Sequence, residues 1–276
     1  MSGEDSKKIK ELKSAVLKHH RAFGRHDLPW RKLQTPYRVF VSELMLQQTQ
    51  VERVIPKFNA FIRMFPTFKK LSRANLGEVY ELWAGLGYNR RAKFLRDSAK
   101  TVAEVYGGKL PKVKEELTKL PGVGPYTAGA ILAFSHGNPE PFVETNIRTA
   151  VTHHVFRGKQ KVTDTEILQV LSMIKPKAGD DAKNWYGALM DYGAHLKSAG
   201  VKINSKSAHY TKQKAFKGSL REVRGALLKA IGSISRKETE LSDLGFTKTR
   251  IQKALLGLQR DGLIEKNKSG AWKLVS

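Results

Sequence analysis

Leu120-Pro121-Gly122-Val123-Gly124-Pro125-Tyr126-Thr127-Ala128-Gly129-Ala130 is a short glycine turn set between two segments of helical spacing. Glycine at 122 and 124 permits backbone conformations closed to other residues, so the chain can turn sharply and leave amides unbonded at the start of the next helix. Pro125 suits the first helical position. Amides at a helix N-terminus attract phosphate. A Gly-x-Gly turn by itself also serves many purely structural helix corners, so the surrounding sequence has to decide.

Composition narrows the choice. The 276 residues hold 50 Lys and Arg against 25 Asp and Glu, a formal charge of +25, and such a chain expects polyanions. A ribosomal or RNA-coating protein would share that charge, but 40% hydrophobic residues is enough for packed domains. There is no cysteine, which excludes disulfides and thiolate-bound zinc or iron-sulfur sites. No apolar run approaches a membrane span, and the Met1-Ser2-Gly3-Glu4-Asp5-Ser6 start lacks the apolar core of a signal peptide. The expectation is a cytoplasmic monomer, nucleoid-associated if the source is prokaryotic.

Working outward from the turn, helices are predicted near 12–24, 37–50, 57–65, 75–84, 89–106, 113–119, 125–136, 145–155, 164–175 and 180–198. Thr35-Pro36 caps the second of these, which places Glu43 and Gln47 one turn apart on one face. Pro56 marks a boundary or a kink. Val39-Phe40-Val41 is too short and helix-flanked for a strand. Residues 199–218, with Lys202, Lys206, Lys212, Lys214 and Lys217, read as a basic linker. Beyond it, Leu220, Val223, Leu227, Leu228 and Ile231 share a helix face, and Ser235 with Glu238 forms a capping box. A third helix follows over 247–261, then a β-hairpin about residues 267–270. Three helices and a hairpin predict a winged helix-turn-helix for residues 219–276. Lys248, Arg250, Lys253 and Arg260 on its third helix suit DNA, although many winged helices bind protein.

Leu28-Pro29-Trp30-Arg31, the run 42–51 (Ser-Glu-Leu-Met-Leu-Gln-Gln-Thr-Gln-Val) and Trp83-Ala84-Gly85-Leu86-Gly87-Tyr88 with Arg90-Arg91-Ala92 all precede the glycine turn. In that order they resemble the MutY-type adenine DNA glycosylases of the helix-hairpin-helix superfamily. The resemblance spans residues 10–198. It implies a mainly α helix-hairpin-helix glycosylase region over 1–198, followed by the linker and the winged-helix-like domain.

The activity implied is hydrolysis of an N-glycosidic bond in double-stranded DNA after the target nucleotide is rotated out of the stack, at a cost of a few kcal/mol. Departure of a purine leaves positive charge on the sugar and negative charge on the base, so a proton donor and an anion each lower the barrier. By the resemblance, Glu43 is the proton donor. Glu144 stands where the family has aspartate, in Glu144-Thr145-Asn146-Ile147 against the usual Asp-Gly-Asn-Val, and Asn146 supports this region. Glu144 also suits a helix N-terminus. Tyr126 occupies the position at which bifunctional relatives carry a Schiff-base lysine; a phenol forms no imine, which predicts a monofunctional enzyme.

Trp30, Arg31, Leu46 and Gln48 match positions lining the base pocket, and Gln48 and Tyr88 match residues that fill the gap left by the flipped base. Gly122, Val123, Gly124, Tyr126 and Thr127 would grip the DNA backbone. The resemblance further implies a Na or K ion held by carbonyls of the turn.

The sequence departs from the family at Gly187, where a Glu or Gln reads the adenine edge. It departs again over 194–216, where the cluster cysteines give way to a lysine-rich stretch, and in the C-terminal domain that would recognise 8-oxoguanine. Adenine opposite 8-oxoguanine or guanine is the expected target. A thymine, uracil or damaged-purine glycosylase on the same scaffold, and a non-catalytic DNA-damage-binding or regulatory protein, are the alternatives. His136, His153 and His154 have no metal-ligand spacing.

Overall fold

The computed structural model describes residues 3–177, 181–208, 215–232 and 234–275. The elements are α1 (Gly3–Phe23), α2 (Pro29–Lys32), α3 (Pro36–Leu46), α4 (Val51–Met64), α5 (Phe68–Ser72), α6 (Leu76–Trp83), α7 (Arg90–Glu104) and α8 (Lys114–Leu117). They continue as α9 (Pro125–His136), α10 (Thr145–His154), α11 (Asp164–Ile174), α12 (Ala182–Ser198), α13 (Leu220–Ile231), α14 (Glu238–Leu241) and α15 (Lys248–Arg260). Strands β1 (Ile264–Lys266) and β2 (Trp272–Leu274) close the chain. The chain divides into two compact units, Met1–Val39 with Lys112–Glu115 and Val123–Lys212, and Phe40–Pro111 with Glu116–Gly122 and Gln213–Ser276.

In the first unit, Leu12 and Val16 of α1 join Ala130, Ala133 and Phe134 of α9, Ile147 and Val151 of α10, Ile167 and Leu171 of α11, and Tyr186 and Leu189 of α12 in one core. Each of the leucine, isoleucine, valine and phenylalanine side chains contributes about 1.5–3 kcal/mol by leaving water. Helices α10 and α12 pack so closely that a Cβ at Gly193 would lie 1.9 Å from the Asn146 carbonyl oxygen. Glycine is therefore what lets α12 approach the first turn of α10.

In the second unit, Phe40 and Leu44 of α3, Val54, Phe58 and Phe61 of α4, Leu71 of α5, Leu76 and Trp83 of α6 and Leu95 of α7 are buried. Pro56 lies inside α4 and does not end it. It is exposed, so the helical carbonyl it cannot bond is accessible to water. Val39-Phe40-Val41 is helical, as expected.

Helix α3 stops at Leu46, short of the predicted residue 50. The buried Arg91 takes over the end, its Nη1 donating to the Leu44 and Met45 carbonyls at 2.7 and 3.0 Å. Those are orphan acceptors of the last turn. Gln48 then adopts φ 55°, which the helix cannot continue.

Residues 215–275 within the second unit form α13 packed on α15, with β1 and β2 packed against α15 and α13. The strands are antiparallel, with Ile264 opposite Leu274 and Lys266 opposite Trp272. Asn267 Oδ1 accepts from the amides of Ser269 and Ala271 and tightens the turn between them. The expected helix after Ser235 is only the four residues of α14, which begins at Glu238, and its capping carboxylate is Glu240, bonded to the Lys237 amide at 2.6 Å. Of the predicted basic linker, residues 209–214, with Lys212 and Lys214, lie outside the described residues. No described helix is long and apolar enough to cross a membrane.

Candidate active site

Glu43 sits on α3 with 5% of its surface exposed. Its neighbours Ser42, Leu44 and Met45 are buried too, so the helix holds this carboxyl group away from bulk water. Arg91 fixes the segment that follows. Besides the α3 carbonyls, its guanidinium donates to Thr49 Oγ1 at 2.9 Å and to the Gly87 carbonyl at 3.2 Å, and it lies over the rings of Trp83 and Tyr88. Burial pushes the Arg91 guanidinium down to about 10, still charged at neutral pH. One cation thus ties the turn after α3 to the loop before α7. Both turns carry a non-glycine residue in the left-handed region, Gln48 at φ 55° and Tyr88 at φ 49°. Such residues are uncommon and cluster at functional sites.

The glycine turn is built as expected at one of its two positions. Gly122 has φ +79°, and a Cβ there would meet the Phe94 side chain at 3.0 Å; its carbonyl accepts from Gln47 Nε2 at 3.0 Å. Gly124 adopts φ −85° as the N-cap of α9, with open space where a Cβ would stand. Its conformation is accessible to other residues, so neither backbone nor packing within this structure requires glycine there. Gly124 supplies no side-chain cap to α9, and Pro125 supplies no amide. Leu46 and Tyr126 are partly buried, Val123 and Thr127 buried, and Gln48 exposed.

Glu144 is the N-cap of α10, its Oε1 accepting from the Ile147 amide at 2.7 Å. The residue is 8% exposed. Burial raises its pKa above the ordinary range, against the opposing pull of the Asn146 and Ile147 amides and the charges of Lys197 and Arg148. Lys197 donates to Asn146 Oδ1 at 2.6 Å, and Tyr126 packs against Phe142 with ring centroids 6.1 Å apart. The acid, the amide and a lysine from the last turn of α12 therefore converge where Gly193 permits the two helices to touch.

In the same unit, Trp30 is buried on α2. Arg31 makes a two-pronged ion pair with Asp191, Nη1 to Oδ2 at 2.7 Å and Nη2 to Oδ1 at 3.0 Å, and Arg25 Nε reaches Oδ1 at 2.6 Å. Burial alone would raise the Asp191 carboxyl, but its bonds to Arg31 and the two cationic charges outweigh it and hold the group below its usual range. The Arg31 guanidinium also donates to the Gly187 carbonyl, and its Cζ lies 3.5 Å from where a Cβ at 187 would be.

The structure brings Glu43, Leu46, Gln48, Tyr88 and Gly122 into one unit, and Trp30, Arg31, Val123, Gly124, Tyr126, Thr127, Glu144 and Asn146 into the other. Arg91 and Asp191 stand in the sequence only as members of longer stretches, and Lys197 has no motif around it. Apart from the Gly87 carbonyl and the Trp83 and Tyr88 rings near Arg91, their partners lie 42 or more residues away in the chain, at separations of 46 and 47 for the α3 carbonyls, 51 for Asn146 and 160 for Arg31. No local pattern announces them. Without cysteine the residues present do not fit an iron-sulfur cluster, and among the described residues no group of three or more His, Asp or Glu could hold a metal.

A family model described as HhH-GPD superfamily base excision DNA repair protein matches residues 41–177. The adenine DNA glycosylase of Mycolicibacterium smegmatis is 32% identical over 275 residues, covering 91% of this chain and 92% of that protein. The thymine-DNA glycosylase of Aeropyrum pernix is 33% identical over 199 residues, covering 71% of this chain and 89% of that protein. The chain spans about half the length of the Buchnera aphidicola adenine DNA glycosylases it also matches. A solved thermostable thymine-DNA glycosylase shares the fold, with TM-score 0.60 at 22% identity over 74% of this chain and 97% of that one.

Proposed function

We infer the function from the premise that this chain belongs to the HhH-GPD superfamily of base excision DNA repair proteins. The protein is a DNA N-glycosylase of base excision repair, mainly α-helical, and its substrate is DNA. The base we assign is adenine, mispaired with guanine or 8-oxoguanine. The observation that carries the reading is that two acids are buried, Glu43 on α3 in the second unit and Glu144 at the start of α10 in the first, in a chain of charge +25.

In this reading the bond between the sugar C1′ and the base nitrogen breaks with its electron pair going to the base. Glu43 gives its proton to the departing base, so adenine leaves neutral. The cationic sugar is stabilised by the Glu144 carboxylate. Water then adds to C1′ and loses a proton, leaving free adenine and an abasic site. Lys197 and Asn146 hold the acid's surroundings, and Tyr126 occupies the position from which a lysine would attack the sugar. Gly122, Val123, Gly124 and Thr127 contact the phosphate backbone, and the carbonyls of this turn offer the hard oxygen ligands a Na or K ion takes. The region 1–198 carries the chemistry, and 219–276 is a winged-helix-like module on a basic linker.

A second reading, excision of thymine or uracil from a mispair with guanine, is favoured by Gly187. No side chain stands there to read an adenine edge, and the Arg31 guanidinium lies against the position. Duplexes carrying adenine opposite guanine or 8-oxoguanine, and thymine or uracil opposite guanine, separate the readings once abasic product is cleaved with alkali. Product from the adenine duplexes alone is the expected result. Product from the pyrimidine duplexes alone establishes the second reading, and binding without any product establishes a non-catalytic protein.

A further inference from the structure

Glu144, buried at the start of α10, feels two cations, Lys197 of α12 and Arg148 of its own helix. The two are not equivalent. Arg148 is committed to α11, where its Nε and Nη2 each donate to a carboxylate oxygen of Asp164 at 2.9 Å, so its charge is compensated there. Lys197 has a neutral partner, its Nζ donating to Asn146 Oδ1 at 2.6 Å, and Glu144 is the acid whose charge acts on it. A lysine can only donate, so this bond also fixes the Asn146 amide, with its oxygen toward Lys197 and its NH2 group turned away. Charged and titratable groups of the other elements packed against α10 are engaged elsewhere. Glu11 of α1 acts on His154 at the far end of α10, His195 of α12 stacks on His19 of α1 with centroids 4.5 Å apart, Glu166 of α11 pairs with Lys159, and Lys206 donates to the Arg157 carbonyl.

Burial disfavours the charged form of a carboxyl group, and an opposite charge nearby favours it. An acid that sits out of water and must still be an anion therefore needs a cation whose charge is not already cancelled. Helix α12 supplies one from its last turn, because Gly193, one turn before Lys197 on the same face, lets the two helices close. We propose that Lys197 is a positioning residue for excision, holding the Asn146 amide and supplying the positive charge that keeps the buried Glu144 an anion where the cationic sugar forms. The proposal rests on the glycosylase reading and goes beyond it in naming what holds the sugar-facing acid ionised. Lys197 touches neither sugar nor base in this assignment; it acts through Glu144.

The test measures single-turnover excision by the full chain, with enzyme saturating the mispaired duplex, from about pH 4 to 8. Lys197→Gln keeps a donor for Asn146 and removes the charge, whereas Lys197→Arg keeps the charge. We expect Lys197→Gln to move the acidic limb of the profile upward by about one pH unit, the low end for loss of an adjacent opposite charge. That is a loss of about tenfold in rate below the limb and of less than about threefold above it. Lys197→Arg should keep the wild-type limb. Thermal melts read the same ionisation without turnover: the stability gap opened by Glu144→Gln levels off at the folded-state pKa of the acid, and Lys197→Gln should raise that pH by the same amount. An equal loss of rate at every pH in both variants, with the limb unmoved, is the behaviour of a packing role and overturns the proposal. So does a loss confined to binding, with the saturated rate and the limb unchanged, the behaviour of a phosphate contact. If no duplex yields product but the melts shift, the glycosylase reading fails and the hold of Lys197 on the charge of Glu144 stands.

Discussion

Replacing Glu144 by glutamine separates the two functions its carboxylate can serve. As the N-cap of α10, the side chain needs only an oxygen facing the Ile147 amide, now 2.7 Å away, and a glutamine amide oxygen supplies one. A lost cap costs about 1 kcal/mol, and here the bond survives in neutral form while the cost of burying a charge disappears. Stability should therefore change by less than about 1 kcal/mol. Catalysis should not be spared. A carboxylate about 4 Å from a cationic sugar, at an effective dielectric of about 20, contributes roughly 4 kcal/mol, which is about a thousandfold in rate.

The pH dependence gives a second handle. Burial raises the folded-state pKa of Glu144, so its stability contribution is fully present below the unfolded carboxyl value and is lost as pH rises through the folded one. Activity runs the opposite way, because the sugar requires the anion. Single-turnover excision should thus fall on acidification at a higher pH than an ordinary carboxylate would set, while stability from this group increases. Single-turnover rates and thermal melts of wild type and Glu144→Gln across pH 4–8, a window spanning roughly the carboxylate and imidazole ranges, measure both. A Glu144→Gln enzyme within threefold of wild-type rate would refute the sugar-stabilising role and leave the residue a helix cap.

Tyr126→Lys should introduce strand cleavage, seen as a covalent adduct on borohydride reduction; no trapped imine would count against the placement of residue 126. Gly193→Ala forces a methyl toward an oxygen 1.9 Å from its ideal position, and overpacking of this kind costs about 1–3 kcal/mol. Its melt should fall accordingly, and its excision rate should fall further than Glu144→Gln leaves unexplained by stability alone, because α10 moves. Asp191→Asn removes the carboxylate shared by Arg31 and Arg25 and should cost about 3 kcal/mol at neutral pH, toward the low end for a broken buried pair because Arg25 is partly exposed. The Asp191 pKa is depressed, so this stabilisation is present above the unfolded carboxyl pKa and fades as pH falls through the folded value; the gap between the two melts should narrow in acid. Gly187→Glu places a carboxylate against Arg31 with room for its Cβ, and should raise adenine excision relative to thymine by at least about tenfold, read from competing mispaired duplexes.

The sequence alone determined where several helices begin and which faces they bury. Thr35-Pro36, Pro125 and the spacing of Leu220, Val223, Leu227 and Ile231 fix helices because capping and amphipathic periodicity act over a few residues. The run 42–51 and the glycine turn likewise carried enough local pattern to indicate the family, and the absence of cysteine ruled out a cluster. Only the tertiary structure decided where α3 ends, since Arg91 reaches its last carbonyls from 46 and 47 residues away, and propensity contains no term for a distant cation. It also decided that Glu144 is buried as a helix cap, that Asp191 joins Arg25 to Arg31, that Gly193 is needed for a close helix crossing, and that Arg221 meets Tyr88 across 133 residues. These contacts depend on which surfaces pack together, and that follows from the burial of the whole apolar set rather than from any one stretch of it.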